Sequence, residues 1–154
     1  MKGRSLAQLD EAKLGKWGKG QKDAMLKLWN EHVPHILAGL HAESLDWCIM
    51  AKDEDEGAMQ AHVRIVYISH CVSIVVYPFL QHRSKEEVFE TMLHECIHIL
   101  LADMEAGAIV LVELVGVRAY NAWRMASTAG EEKTVARMLS WLSYNPKTKK
   151  LELK

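Results

Sequence analysis

The spacing of apolar side chains predicts a helix near the start of the chain. After Gln21, the segment KDAMLKLWNEHVPHILAGL repeats apolar positions every three or four residues, the period of an amphipathic α-helix. Pro34 lies inside this segment and has no backbone N–H to donate, so we expect it to perturb the helix. The positions that set the period are Ala24, Met25, Leu28, Trp29 and His32.

Three stretches that follow favour β-strands, at residues 46–52, 58–69 and 72–79. The acidic sequence DEDEG separates the first two and has the composition of a turn. In HVRIVYI, alternate side chains such as Val63 and Ile65 share one face. We therefore expect a small antiparallel sheet with an apolar face that receives a helix.

A capping motif marks the start of the next helix. Ser84-Lys85-Glu86-Glu87 matches the capping box, in which Ser84 and Glu87 satisfy each other's backbone N–H groups. We expect this helix to break or bend at residues 103–106, and a long apolar helix to run from about 105 to 126.

A last helix is predicted from the segment EEKTVARMLSWLSY, which must end before Pro146. Residues 1–20 carry five basic residues and four glycines and are expected to form a loosely held arm, whereas residues 146–154 are expected to be a frayed tail. The element order predicts one α+β domain over residues 1–154, with helices packed on a short three-stranded, largely antiparallel sheet.

Composition adds few constraints on partners. The 154 residues carry a net charge of -1, with 25% charged and 49% hydrophobic residues, which excludes a disordered chain and makes nucleic-acid binding unlikely. The longest apolar stretch, 106–117, is too short to span a bilayer and contains Glu113. We expect no membrane association, and the oligomeric state stays open.

The cysteines indicate a reducing compartment. Cys48, Cys71 and Cys96 are odd in number and lack paired spacing, so they support neither a disulfide framework nor a zinc knuckle. The charged N-terminal stretch lacks the apolar core of a signal peptide. These features predict a cytoplasmic protein.

The sequence His94-Glu95-Cys96-Ile97-His98 carries the clearest chemistry of the chain. Residues four apart on a helix stack one turn above the other, so His94 and His98 can direct two imidazoles at one zinc ion. Glu95 projects from an adjoining part of this surface, where it can act as a general base toward water. Cys96 points to nearly the opposite side and is expected to be buried.

A catalytic zinc site needs a third protein ligand. The metzincin pattern HExxHxxGxxH is excluded, because Leu101 occupies the glycine position and Met104 the last histidine position. The candidates that remain are Glu105, Glu113, Glu131 and Glu132.

The last helix favours one of these glutamates. If Thr128 is the N-cap, Glu131 completes a second capping box and has a structural role. Glu132 shares the core-facing side with Val135 and Leu139, where an unpaired carboxylate would be costly and a zinc-bound one would not. Glu132 is therefore the predicted third ligand, with Glu131 and Glu105 as alternatives.

The order of these elements resembles the minimal zincin-type metallopeptidase domains of phages and prophages, and more distantly the gluzincin-like domains. The resemblance covers roughly residues 58–142 and is carried by HECIH on a helix after a small sheet, and by a later helix with EExxVxxxL. It implies that zinc is bound by His94, His98 and Glu132, with Glu95 as the base. The expected substrate is a peptide or protein.

Two further hypotheses concern the same pattern. A fourth protein ligand, Glu105 or Glu131, would make a closed zinc site without chemistry. Alternatively, the chain is a metal-free helical interaction domain with core histidines. In zincin-like sites an edge strand pairs with the substrate backbone, and residues 73–77 could have this role or be an ordinary paired strand.

A second histidine pair, His32 and His35, has Pro34 between its members. We expect these histidines to be solvated or to lie at a helix end, and not to bind metal.

Overall fold

A computed structural model describes residues 15–42, 46–55, 59–66, 71–115 and 130–154, with residues 65–66 and 102–115 described by their backbone alone. The elements in chain order are α1 (Gln21–Leu40), β1 (Asp46–Ala51), β2 (Ala61–Val66), β3 (Cys71–Val76), a 3-10 helix (Pro78–His82), α2 (Lys85–Val115), α3 (helical residues 130–141), β4 (Leu142–Asn145) and β5 (Lys150–Leu153). The predicted α+β class is confirmed.

The three-stranded sheet has the order β1-β3-β2. β2 is antiparallel to β3, as the hairpin pattern predicts, whereas β1 is parallel to β3. Because β3 is the central strand, residues 73–76 already have neighbours on both sides and cannot form the edge suggested for residues 73–77. Among the described residues, β2 forms that edge on the side of α2.

The core lies between one face of this sheet and the helices α1 and α2. From β3, Val72, Ile74 and Val76 are completely buried in it. α1 continues through Pro34 without a break, contrary to the perturbation we expected. Pro34 and Asn30 are both exposed, so the Asn30 carbonyl that loses its helical donor faces water.

The second helix begins with the predicted capping box. Ser84 N–H donates to Glu87 Oε2 at 2.8 Å, and Glu87 N–H donates to Ser84 Oγ at 3.2 Å. The expected break at residues 103–106 is wrong, since α2 is continuous to Val115. Its sequence there, Asp-Met-Glu-Ala, contains no proline, and Met, Glu and Ala are good helix formers.

The C-terminal residues form a hairpin instead of the frayed tail we expected. β4 and β5 pair in antiparallel register, with Tyr144 opposite Leu151. Leu151 packs so closely on α1 that a Cβ at Gly39 would lie 2.9 Å from its Cδ1. Lys149 forms an ion pair with Glu31 of α1 at 3.1 Å. Apolar and polar residues alternate over only a few positions of the tail. The hairpin is therefore stabilised by its packing against α1.

The N-terminal arm is described only from residue 15 onward. This part is attached to the rest of the fold. The backbones of Lys16 and Glu54 form an isolated antiparallel β-bridge, and the Trp17 indole N–H donates to the Lys52 carbonyl at 2.6 Å. The predicted loose arm at residues 1–14 lies outside the described residues. Within the described part of the chain, none of the helices combines the length and the apolarity needed to cross a membrane.

Candidate metal centre

The helix α2 places His94 and His98 on one face, as their spacing predicts. Their Nε2 atoms are 3.0 Å apart, and the ring centroids are separated by 4.8 Å. The His98 side chain is 14% exposed and that of His94 is 33% exposed, so both rings border solvent while lying against the protein. Burial and the neighbouring His98 lower the pKa of His94, which favours the neutral imidazole that binds a metal.

The helix α3 brings Glu132 to the same point. Its Oε1 lies 3.3 Å from His98 Nε2 and its Oε2 lies 3.9 Å from His94 Nε2. One ligand atom from each of these three residues can be chosen so that all lie within 4.8 Å of one another. In a tetrahedral zinc site with bonds near 2.0–2.1 Å, neighbouring donor atoms are about 3.3 Å apart. The three donors therefore fit a single small cation.

Glu131 occupies a different position from its neighbour. Its Oε1 lies 2.7 Å from His98 Nδ1, on the side of the ring that faces away from His94 and Glu132. A carboxylate there accepts the Nδ1–H and leaves Nε2 free as a metal ligand. The side chains of the other candidates, Glu105 and Glu113, lie outside the described residues.

Glu95 is buried beside these ligands. It is 5% exposed, and its carboxylate accepts a hydrogen bond from the Val63 backbone N–H of β2. Burial raises the pKa of Glu95 to about 7; His98 and the Val63 N–H oppose this shift, and Glu132 adds to it. A carboxyl group of this kind can both accept and return a proton near neutral pH.

The centre opens into a cavity of about 300 Å³ that Ala61, His62 and Val63 of β2 close on one side. The remaining lining is His94, Glu95, His98, Glu131 and Glu132. His62 is positioned by a hydrogen bond of 3.0 Å between its Nδ1 and the Tyr77 hydroxyl. Sequence reasoning missed this part of β2, because strand order cannot be derived from the alternation within one strand.

A second groove of about 400 Å³ continues from the same centre toward the start of α2. It shares Ala61, His94 and Glu95 with the first cavity. Its other walls are Gln60, Glu87, Glu90 and Thr91. The centre is therefore a cleft open along β2 and α2, with room for an extended ligand.

The same geometry also accommodates a metal-free arrangement. If His98 donates Nδ1–H to Glu131, its Nε2 is an acceptor, and His94 Nε2–H can donate to it across the 3.0 Å separation. In the metal-bound state the Glu132 carboxylate binds the cation, whereas in the metal-free state it lies beside the Nε2 atoms of the two histidines with no cation between them. A metal analysis of the protein distinguishes them.

Cys96 and His32 are both buried side chains. Cys96 is completely buried, as predicted, and burial raises the pKa of its thiol. The expectation that His32 is solvated is wrong, because this ring is 6% exposed and its Nδ1 lies 2.8 Å from the Tyr144 hydroxyl. Position 32 belongs to the buried face of α1, whereas His35 is exposed.

No family model matches the chain, and no curated protein or solved structure matches it. The chemistry of the centre must therefore be inferred from its own side chains.

Proposed function

We propose that this protein is a zinc-dependent metallopeptidase with its active site at this centre. The observation that carries the proposal is the convergence of His94, His98 and Glu132, which belong to two different helices, beside the buried carboxylate of Glu95. The resemblance to zincin-type domains suggests the same four residues. The three free cysteines are compatible with the reducing cytoplasm in which we place the protein.

His94, His98 and Glu132 would hold the metal, and Glu131 would fix the tautomer of His98. Zinc bound by three protein ligands keeps a position open, polarises a substrate carbonyl and lowers the pKa of a bound water to about 7. Because Glu131 contacts Nδ1 and not the cluster of ligand atoms, it does not favour the closed four-ligand site.

Glu95 would move the proton in this reaction. Its carboxylate takes a proton from the attacking water and returns it to the leaving nitrogen of the peptide bond. The Val63 N–H holds the carboxylate in place between β2 and the ligand histidines.

The edge of β2 would align the substrate. The Tyr77 N–H donates to the Gln60 carbonyl, so residues 60, 62 and 64 direct their backbone groups toward β3. Ala61 and Val63 then direct theirs toward the cleft, which agrees with the bond from Val63 to Glu95. Because the Val63 N–H already donates to Glu95, an extended peptide can pair with this edge through the Ala61 backbone and the Val63 carbonyl, which supports a peptide or protein substrate.

Replacement of Glu95 by Gln tests the proposal. Protein purified without a histidine tag is expected to contain one zinc per chain, in both the parent and Glu95→Gln, by elemental mass spectrometry. The parent should cleave peptides from a proteome-derived library, with cut sites read by mass spectrometry, and Glu95→Gln should not. Glu54→Gln, a change at an exposed position outside the cavities described here, is the control.

Three results separate the alternatives. Equal cleavage by the parent and Glu95→Gln would refute the role of Glu95. Stoichiometric zinc without cleavage of any library peptide would favour a structural zinc site. Absence of zinc after growth and purification in zinc-containing buffer would favour the metal-free histidine pair.

A further inference from the structure

A cavity away from the metal centre lies between α1, the start of α2, the end of α3 and the β4–β5 hairpin. Its volume is about 730 Å³, within the range of small-ligand pockets. Three rings form its base, namely His32, Phe89 and Tyr144, with centroids 4.9 to 5.8 Å apart. Leucines form much of its walls, among them Leu28 and Leu139. We call this cavity the aromatic pocket.

The base of the aromatic pocket carries one polar pair. His32 Nδ1 and the Tyr144 hydroxyl lie 2.8 Å apart, and both residues are at least nine-tenths buried. Burial lowers the pKa of His32, which favours the neutral ring. A neutral ring and the Tyr144 hydroxyl carry two polar hydrogens, and the hydrogen bond between them uses one. In either tautomer one hydrogen, on His32 Nε2 or on the Tyr144 oxygen, is left to donate. A ligand with a hydrogen-bond acceptor, such as a backbone carbonyl, can accept this remaining hydrogen bond at the bottom of the pocket.

The rim of the aromatic pocket carries both signs of charge. The lining includes three lysines and three glutamates, namely Lys85, Lys147, Lys154, Glu31, Glu86 and Glu90. Lys154 donates to the Leu139 carbonyl. Neither sign dominates, which disfavours a strongly anionic or cationic ligand. An uncharged apolar side chain with its adjoining peptide group fits both the rim and the base.

The aromatic pocket adjoins the cleft of the metal centre. Glu90 lies in the wall of the aromatic pocket and also in that of the groove that contains His94 and Glu95. Phe89 precedes His94 by five residues and His98 by nine, which is about 8 to 14 Å along a helix axis. Five residues turn about 140° around the helix axis and nine residues about 180°, so the peptide must also pass around α2, over Glu90. An extended peptide therefore needs at least about four residues to join the two sites.

We propose that the aromatic pocket binds an apolar side chain of the peptide substrate, at least about four residues from the scissile bond. The pair of His32 and Tyr144 donates to a carbonyl of that peptide. The assignment of the ligand as substrate rests on the proposed metallopeptidase function, whereas the binding of a peptide in the pocket can be measured without turnover.

The binding test uses zinc-loaded Glu95→Gln as full-length protein and blocked ten-residue alanine-serine peptides that carry one phenylalanine or alanine at the same position. Isothermal titration calorimetry should show about tenfold tighter binding for the phenylalanine peptide, since burial of that side chain is favourable. Adding Ser143→Trp, which fills the pocket from β4, should remove the preference. Adding Ser140→Trp, an exposed change on α3, should retain it.

A milder variant covers the case in which Ser143→Trp does not fold, as judged by circular dichroism. Tyr144→Phe keeps the ring packing and removes the hydroxyl, so it should weaken binding of the phenylalanine peptide severalfold. Equal affinity of the two peptides for Glu95→Gln, or affinity for the phenylalanine peptide that neither Ser143→Trp nor Tyr144→Phe lowers, would overturn the inference.

Cleavage mapping with the unmodified active site separates the two proposals. Parent protein should cut phenylalanine peptides at a constant distance of at least about four residues from the aromatic position. Preferential binding without any cleavage would refute the peptidase and leave the pocket as a peptide site. Cleavage that ignores the aromatic position would refute the pocket as a substrate site and leave the peptidase intact.

Discussion

The adjacent glutamates Glu131 and Glu132 should differ in their effect on zinc affinity. Glu132 faces the Nε2 atoms of both histidines, whereas Glu131 faces only Nδ1 of His98. Separate replacement by Gln removes one negative charge from each position while keeping the size of the side chain. Because the positions are neighbours on one helix, a general effect on the folding of α3 should be similar for both.

The expected magnitudes follow from the contacts. The bond from His98 Nδ1 to Glu131 is short, at 2.7 Å, and hydrogen bonds to charged groups contribute about 1.5–3 kcal/mol. The Glu131 side chain is 26% exposed and Gln keeps an acceptor oxygen, so we expect a loss at the low end, about tenfold in zinc affinity. Glu132→Gln removes a negatively charged ligand of the metal. We expect zinc affinity to fall by more than about a hundredfold, which exceeds the loss caused by residues that contact only the ligands.

The assay is competition for zinc against a chromogenic chelator at pH 7.5, with protein that carries no histidine tag. Glu86→Gln, which changes an exposed glutamate outside the centre, should retain the affinity of the parent. Equal losses for Glu131→Gln and Glu132→Gln would contradict the separate roles derived from the structure. A larger loss for Glu131→Gln would make Glu131 the third ligand, which is one of the alternatives that the sequence left open.

Three further predictions concern stability. Burial lowers the pKa of His32 below its ordinary 6.5, so the unfolded chain binds a proton at this ring more readily than the folded chain does. The folded state therefore keeps its full stability above about pH 6.5 and loses stability as the pH falls from there toward the folded pKa. His32→Phe should reduce this dependence of urea unfolding on pH between 7.5 and 5. Leu151→Ala should lower the free energy of unfolding by about 1–2 kcal/mol, whereas Leu153→Ala, at an 82% exposed position, should change it by less than about 0.5 kcal/mol. Ser84→Ala should cost about 1 kcal/mol by removing the cap of α2, and Ser140→Ala, inside α3, should cost less.

Each of these has a contrary outcome. A pH dependence that is unchanged in His32→Phe would mean that the ring is protonated as easily in the folded chain as in the unfolded one. Equal effects at Leu151 and Leu153 would mean that the hairpin does not pack on α1 in solution. A neutral Ser84→Ala would mean that Glu87 or water replaces the cap without loss.

The sequence determined those features that depend on neighbours along the chain. The period of apolar residues located α1, the capping box located the start of α2, and the spacing of His94 and His98 placed two imidazoles on one face. Each of these follows from helical geometry within one or two turns, so no distant residue can change it. The choice of Glu132 over Glu131 assumed that Glu132 faces the core, and this assumption is wrong, because the Glu132 side chain is 66% exposed and that of Glu131 is 26% exposed. The approach of Glu132 to both histidines depends on how α3 packs against α2.

Tertiary structure decided which elements meet. Residues 73–76 resemble an edge strand as well as a central one, because alternation specifies the faces of a strand and not its neighbours. For the same reason the contribution of Ala61 and Val63 to the cleft could not be derived. His32 is polar by type, and only the packing of Phe89 and Tyr144 around it makes it a buried group. The tail beyond Pro146 pairs as a hairpin because α1 supplies the surface for Leu151, a contact that nothing within the tail itself encodes.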